Sequence, residues 1–261
     1  MYKITEIFFE INGLTLPSCW KQFQSLPGEE EQKADFKVSV LHQEKMAHGM
    51  ECYSLEHRPV HLWKMDRSIL LTDEKWKEGK LFSASDEYGT LQLLLQMFYT
   101  HAVARGMIQV HSSLIDYRGK GVLFLGPSGI GKTTQAELWN QYRETRIING
   151  DVVFVQKTRE NFLGWGTPWH GSSPYCINDR VPLRALVVLK QDQKNRIRRL
   201  EGFEKVAAVS RSIFYPRWME EGTALCLDIL DQLLTALPVY ELSCRPEEEA
   251  VALTEKTIFG D

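Results

Sequence analysis

The chain has 261 residues, enough for one large domain or two small ones, and its 43% apolar and 25% charged residues are the balance of a water-soluble globular protein. A net charge of −3, with no dense block of lysine or arginine, speaks against nucleic acid as a partner. Five cysteines (Cys19, Cys52, Cys176, Cys226 and Cys244), odd in number and never spaced C-x-x-C, argue against a disulfide framework or zinc knuckle and fit a reducing cytoplasm, while the short apolar runs "VLFL" and "ALVVL" predict no membrane span.

Residues 1–83 predict a β-rich lobe. "KITEIFFEI", "FKVSVLH", "ECYSLE", "VHLWKM" and "SILLTD" are short β-branched or aromatic runs broken by polar turns. The opening "MYKITEIFFEING" reads as alternating strand and lacks the apolar core of a signal segment. "SLPGEEEQKAD", residues 25–35, reads as a loop with a solvated acidic run. "GTLQLLLQMFYTHAVARG", residues 89–106, has helical apolar spacing and a stop at Gly106. His101 within it reads as a core or surface histidine rather than a ligand.

Two strands follow, "MIQVHSSLIDY" and "GVLFL", joined by "RGKG", whose glycines predict a tight hairpin. The second strand runs straight into "GPSGIGKTT", residues 126–134, and then into the helical "KTTQAELWNQY". Strand, G-x-x-x-x-G-K-T and helix in that order form the context of a phosphate-binding P-loop, or Walker A motif. Gly126, Gly129 and Gly131 let the backbone turn tightly and present N–H groups inward, with Ser128, Ile130 and Thr134 completing the loop. Lys132 adds a positive charge for the outer phosphates, Thr133 offers a hydroxyl to Mg²⁺, and the helix points its N-terminus at the anion.

The acid that usually accompanies such a loop is not at the end of the later apolar strand "RALVVLKQ", which closes on Lys190 and Gln191. Asp228 and Asp231 fall on helical spacing in "GTALCLDILDQLLTAL" and read as surface groups. The better candidate is Asp151 in "IINGDVVFV". Beside bound phosphates it would support Mg²⁺ or accept a proton from an attacking hydroxyl; as an alternative it is a turn residue after Asn-Gly. His111, on the strand before the P-loop strand, reads either as a phosphate-side or acid-tuning group or as a core histidine. "EKVAAVSRSIF" predicts a helix, "RIRRLEG" and "PVYELSC" strands, and "RPEEEAVALTEKTI" a last helix with acids in its first turn.

"VHSSLIDYRGKGVLFLGPSGIGKTTQAELW…RIINGDVVFV" resembles the catalytic domain of the HPr kinase/phosphorylase family. The resemblance covers about residues 108–156 and fades beyond. It implies an α/β fold with a mixed sheet, in which a PEP-carboxykinase/HPr-kinase-like catalytic core (84–261) follows the β-rich lobe (1–83). It implies a cytoplasmic, ATP-dependent, Mg²⁺-requiring transferase that moves the γ-phosphoryl group to a serine hydroxyl of a peptide or small protein. Gly126, Ser128, Gly129, Gly131, Lys132 and Thr133 match the family's phosphate loop, and His111 its preceding histidine. Asp151 matches one acid of the family's Asp-Asp pair, whereas the other position is Gly150. Catalytic roles for Asp151, Lys132 and His111, and metal support from Thr133 and Asp151, follow from that match. No segment matches the one associated with phosphorolysis, so a kinase alone is expected, and the oligomeric habit of the family makes self-association an expectation of the same kind. A small-metabolite acceptor and a nucleotide-binding adaptor without turnover stand as alternatives.

"GWGTPWHGSSP", residues 164–174, resembles a loop of shorter proteins of that type. It reads equally as an acceptor-side loop, with aromatic surface from Trp165 and Trp169 and polar groups from His170, Ser172 and Ser173, or as a turn anchored by its tryptophans. Arg245 either reaches phosphate or pairs with the acids at 247–249, and Arg198 and Arg199 read as solvated surface.

Overall fold

The computed structural model describes residues 1–29, 32–42, 59–83 and 86–260, so the strand expected at 51–56 lies outside them. The chain divides into two compact units, Met1–Ala102 and Val103–Asp261. The boundary between these units lies between Ala102 and Val103.

In the first unit, β1 (Tyr2–Ile4) and β2 (Ile7–Asn12) form a hairpin with Ile4 opposite Ile7. The run read as one strand is therefore split at Thr5–Glu6, where Thr5 has φ 60°. With β3 (Phe36–His42), β4 (Pro59–Met65), β5 (Ser68–Asp73) and β6 (Glu78–Ser83) they build a sheet ordered β1-β2-β3-β6-β5-β4. Helix α1 (Glu87–Val103) adds buried Leu94, Phe98 and Ala102, and the N–H of Gly106 bonds the Val103 carbonyl beyond its end. His101 is a packing histidine, stacked on Phe36 with Nε2 2.8 Å from the Trp76 carbonyl.

The second unit opens with β7 (Met107–Tyr117) and β8 (Lys120–Leu125), an antiparallel hairpin with Tyr117 opposite Lys120. Helix α2 (Lys132–Arg143) buries Lys132, Gln135, Ala136 and Trp139, an i, i+3, i+4, i+7 face. Residues 146–157 form two strands, β9 (Arg146–Asn149) and β10 (Val152–Lys157), separated by Gly150 and Asp151. β11 (Phe162–Trp165) pairs with β10 and with the start of β12 (Arg180–Gln191). β12 lies parallel to β8 and to β15 (Val239–Cys244), so all three strands end at one edge, where the P-loop begins. Between them come β13 (Arg196–Leu200), α3 (Gly202–Ser210), β14 (Ile213–Phe214) and α4 (Glu220–Ala236), and α5 (Glu248–Phe259) closes the chain.

The helix expected through Phe214 stops at Ser210. β8 pairs with β7 only from Ser112 onward, which leaves the first half of β7 an edge, and Ile213 and Phe214 pair there with Val110 and Gln109. Unpaired backbone groups on a buried strand are costly, and β14 satisfies them. Asp228 and Asp231 are exposed on α4, as their spacing predicts.

Trp139 is the anchor of α2. It is fully buried and meets Tyr117, Phe259 and Phe124 at ring-centroid distances of 5.3, 6.2 and 6.5 Å. Trp139→Ala is expected to cost about 3–5 kcal/mol by transfer and cavity terms together, read as a lowered midpoint in urea unfolding.

Candidate functional site

The P-loop leaves the end of β8 at Gly126 and enters α2 at Lys132. Gly131, the N-cap, has φ 113°, in the left-handed region that disfavours a Cβ. The Lys132 ammonium folds back onto the Gly126 and Pro127 carbonyls at 3.1 and 3.2 Å. Ser113 of β7 donates to the Lys132 carbonyl at 2.8 Å and so ties the first turn of α2 to the sheet. Burial pushes the Lys132 ammonium below the usual lysine pKa, and the Asp151 charge opposes that shift in part.

Asp151 arrives by a different route. Asn149, fully buried at the end of β9, accepts hydrogen bonds through Oδ1 from the backbone N–H groups of Asp151 and Val152 at 2.8 and 2.9 Å. Its amide donates to the carbonyls of Thr167 and Trp169 at 2.9 and 3.2 Å. This turn aims residue 151 into the site. The register of β10 on β7 sets Val152 opposite His111, which brings His111 Nε2 to 2.9 Å from Asp151 Oδ1. Thr133 Oγ1 donates to the Gly150 carbonyl at 3.2 Å, tying the start of α2 to the same turn.

These groups converge on one cavity of about 230 Å³. It is lined by P-loop residues from Ser128 to Thr134, by His111, Gly150 and Asp151, and by His170, Ser172 and Ser173. Gly126 takes part through its carbonyl, while Ile130 lines a second cavity of about 580 Å³. That cavity shares Gly129, Gly131 and Thr134 with the first and extends over Gln135, the end of β12 and Cys244 to Pro246. Burial pushes the Cys244 thiol there up to about 11. Arg245 lines this larger cavity and pairs with Glu247 at 2.8 Å, the second of its two readings. Arg198 and Arg199 sit on the surface, paired with Glu241 at 3.0 Å and Glu201 at 2.7 Å.

The tryptophans of the 164–174 segment anchor it. Trp165 and Trp169 are only 7% and 5% exposed, and Trp165 donates to Gln156 at 2.8 Å, so they offer no aromatic face to a partner. The polar residues of the segment do reach the site. A Cβ built on Gly150 would lie 1.8 Å from Ser173 Oγ, so the serine occupies the space that any side chain at 150 would need. The packing of this loop thus leaves no room for a side chain at 150. Asn149, Ser113 and Thr167 position the site without having been singled out in the sequence; the Asn-Gly-Asp turn was the one local signal for the first of them.

Gly150→Asp is expected to lower stability by about 1–3 kcal/mol through overpacking, and Gly150→Asp combined with Ser173→Gly to recover most of the loss. Thermal unfolding of the single and double variants measures that coupling.

Comparison with known proteins gives this geometry a family. The family model described as "SynChlorMet cassette protein ScmC" matches residues 83–244. An HPr kinase/phosphorylase of Brevibacillus brevis is 27% identical over 149 residues, covering 56% of this chain and 45% of that protein. One of Thermoanaerobacter pseudethanolicus is 39% identical over 83 residues, covering 31% of this chain and 25% of that protein. The chain thus spans less than half the length of these curated relatives. Among solved structures, the Hpr(Ser) kinase/phosphatase of Coxiella burnetii matches with a TM-score of 0.34 and 10% identity, over 57% of this chain and 95% of that one. With a mixed α/β fold, similarity over part of its length to the HPr kinase/phosphorylases, and a family match across most of its second unit, the chain belongs to the SynChlorMet cassette protein ScmC family.

Proposed function

We propose that this protein is an ATP-dependent kinase that transfers the γ-phosphoryl group to a serine hydroxyl of a peptide or small protein. The observation that carries the reading is the convergence of Lys132, Thr133, Asp151 and His111 on one cavity at the N-terminus of α2. The backbone N–H groups of the P-loop and the Lys132 ammonium bind the triphosphate tail. The larger cavity, joined to the first through Gly129, Gly131 and Thr134, takes the nucleoside, and its volume lies within the range of about 300–1,000 Å³ usual for small-molecule sites.

The donor set suits Mg²⁺: the Thr133 hydroxyl and the Asp151 carboxylate are hard oxygen ligands facing the same cavity. These two residues would hold the ion, which when bound supplies positive charge to the phosphate oxygens. Asp151 accepts the proton of the acceptor hydroxyl as it attacks the γ-phosphorus. The bond to the β–γ bridging oxygen breaks, and ADP leaves. His111, 2.9 Å from Asp151, holds the carboxylate in place. Lys132 stays close to the charge that spreads over the transferring group.

The names of the curated relatives specify HPr as an acceptor, which favours a small-protein or peptide hydroxyl for this chain over a metabolite. The lone carboxylate, with Ser173 in the place of a second, is the observation that favours the rival reading of a nucleotide-binding adaptor without turnover. Among the described residues no helix is long and apolar enough to cross a membrane.

Lys132→Ala is expected to lower transfer by about 100-fold or more, from loss of charge stabilisation. Asp151→Asn is expected to keep ATP binding and lower transfer by about 100-fold or more. Transfer of labelled γ-phosphate to candidate peptides checks both, and a wild-type protein that binds ATP without transferring it supports the adaptor instead. Affinity for ATP should also weaken at alkaline pH, beginning below the ordinary lysine value of about 10.4, because burial has already lowered the pKa of Lys132. An alkaline titration of ATP binding, with Lys132→Ala losing the dependence, tests that sign.

A further inference from the structure

We infer that the protein phosphorylates itself in cis on Ser172. The inference rests on the kinase reading above and adds an acceptor that the chain itself supplies. A phosphoryl acceptor must present a free hydroxyl beside the base and facing the phosphate cradle. The 170–173 segment brings serine hydroxyls to the cavity that the P-loop and Asp151 also line. Gly171, at φ 57°, brings the backbone so close that a Cβ there would lie 2.4 Å from Asp151 Oδ2. The next residue in the chain is Ser172, which is exposed, lines the cavity and makes no side-chain hydrogen bond among the described residues.

The two other serines on the cavity are differently placed. Ser173 is 7% exposed, its Oγ accepts from the Tyr175 N–H at 3.2 Å, and it fills the space over Gly150. Ser128 belongs to the loop that wraps the phosphates. Among the serines on the cavity, Ser172 is therefore the one left for chemistry. Its Oγ attacks the γ-phosphorus of ATP and forms the new O–P bond, and its proton passes to the Asp151 carboxylate. The bond between the γ-phosphorus and the β–γ bridging oxygen breaks, and ADP departs with that electron pair. The phosphoserine so formed would stand in the acceptor position and close the site to a second substrate until the loop moves away from Asp151.

The test uses the full-length protein, first treated with a phosphatase and freed of it, then incubated with Mg-ATP and no added acceptor. Intact mass and fragment mapping by tandem mass spectrometry read the product. The expected result is a single phosphate on Ser172, gained at a rate independent of protein concentration, lost in Ser172→Ala and in Asp151→Asn, and retained in Ser172→Thr. A chain that is stabilised by ATP in thermal unfolding yet carries no phosphate, or carries it on another residue, overturns the inference and leaves nucleotide binding standing. A rate that rises with protein concentration overturns the in-cis geometry. A chain that ATP does not stabilise removes the kinase reading itself, and this inference with it. Mapping the wild-type product decides the outcome even where a variant fails to fold.

Discussion

Asn149 holds the second unit's site together. Its side-chain amide is fully buried, and both ends are engaged: the oxygen by two backbone N–H groups of the β9–β10 turn, the nitrogen by two carbonyls of the loop that follows β11. A buried amide left without partners costs a large desolvation penalty, so this arrangement admits few alternatives. It joins the turn that carries Asp151 to the loop that carries His170, Ser172 and Ser173. The Gly150 N–H, bonded to the Tyr175 carbonyl at 3.2 Å, adds a second tie between the same segments. The P-loop is then brought to this corner by Thr133 on Gly150 and by Ser113 on Lys132.

The electrostatics follow from that packing. Lys132 is 7% exposed and its ammonium rests on two carbonyl oxygens, which neutralise it less well than an anion would. Burial lowers its pKa, and the carboxylate of Asp151 offsets this only in part. The helix N-terminus and the loop N–H groups point the same way. A polyphosphate would satisfy all of these at once, which is why the cradle reads as a phosphate site even without reference to its relatives.

Gly150 shows how packing gives a residue choice a physical cause. Taken as a string, the Gly-Asp pair resembles an Asp-Asp pair with one acid absent. In the fold, the position is filled by the hydroxyl of a residue more than twenty places along the chain. The loop that supplies it is pinned by Trp165 and Trp169, whose burial removes them from the surface where they would meet an acceptor. The same loop therefore fills the space over Gly150, approaches Asp151 at Gly171 and brings His170, Ser172 and Ser173 to the cavity.

Local chemistry was legible in the string of residues. The hairpin before the glycine-rich loop and the helix after it rest on glycines and on a spacing of three and four, all close together in the chain, and both elements form as read. Features needing a distant partner were not legible: the short β14 that ends a helix early, the split at Thr5, and the helix α1 grouping with the β-rich unit. Two features bear most on function: the approach of His111 to Asp151, for which the sequence offered an acid-tuning role as one alternative, and the seat of Ser173 over Gly150, for which it offered no sign. The first depends on the register of β10 against β7, the second on a loop folding back across a turn. Residue types and local order are written in the chain, whereas the distances between remote groups arise only when buried amides, strand edges and aromatic anchors are all satisfied together, and that is a property of tertiary packing.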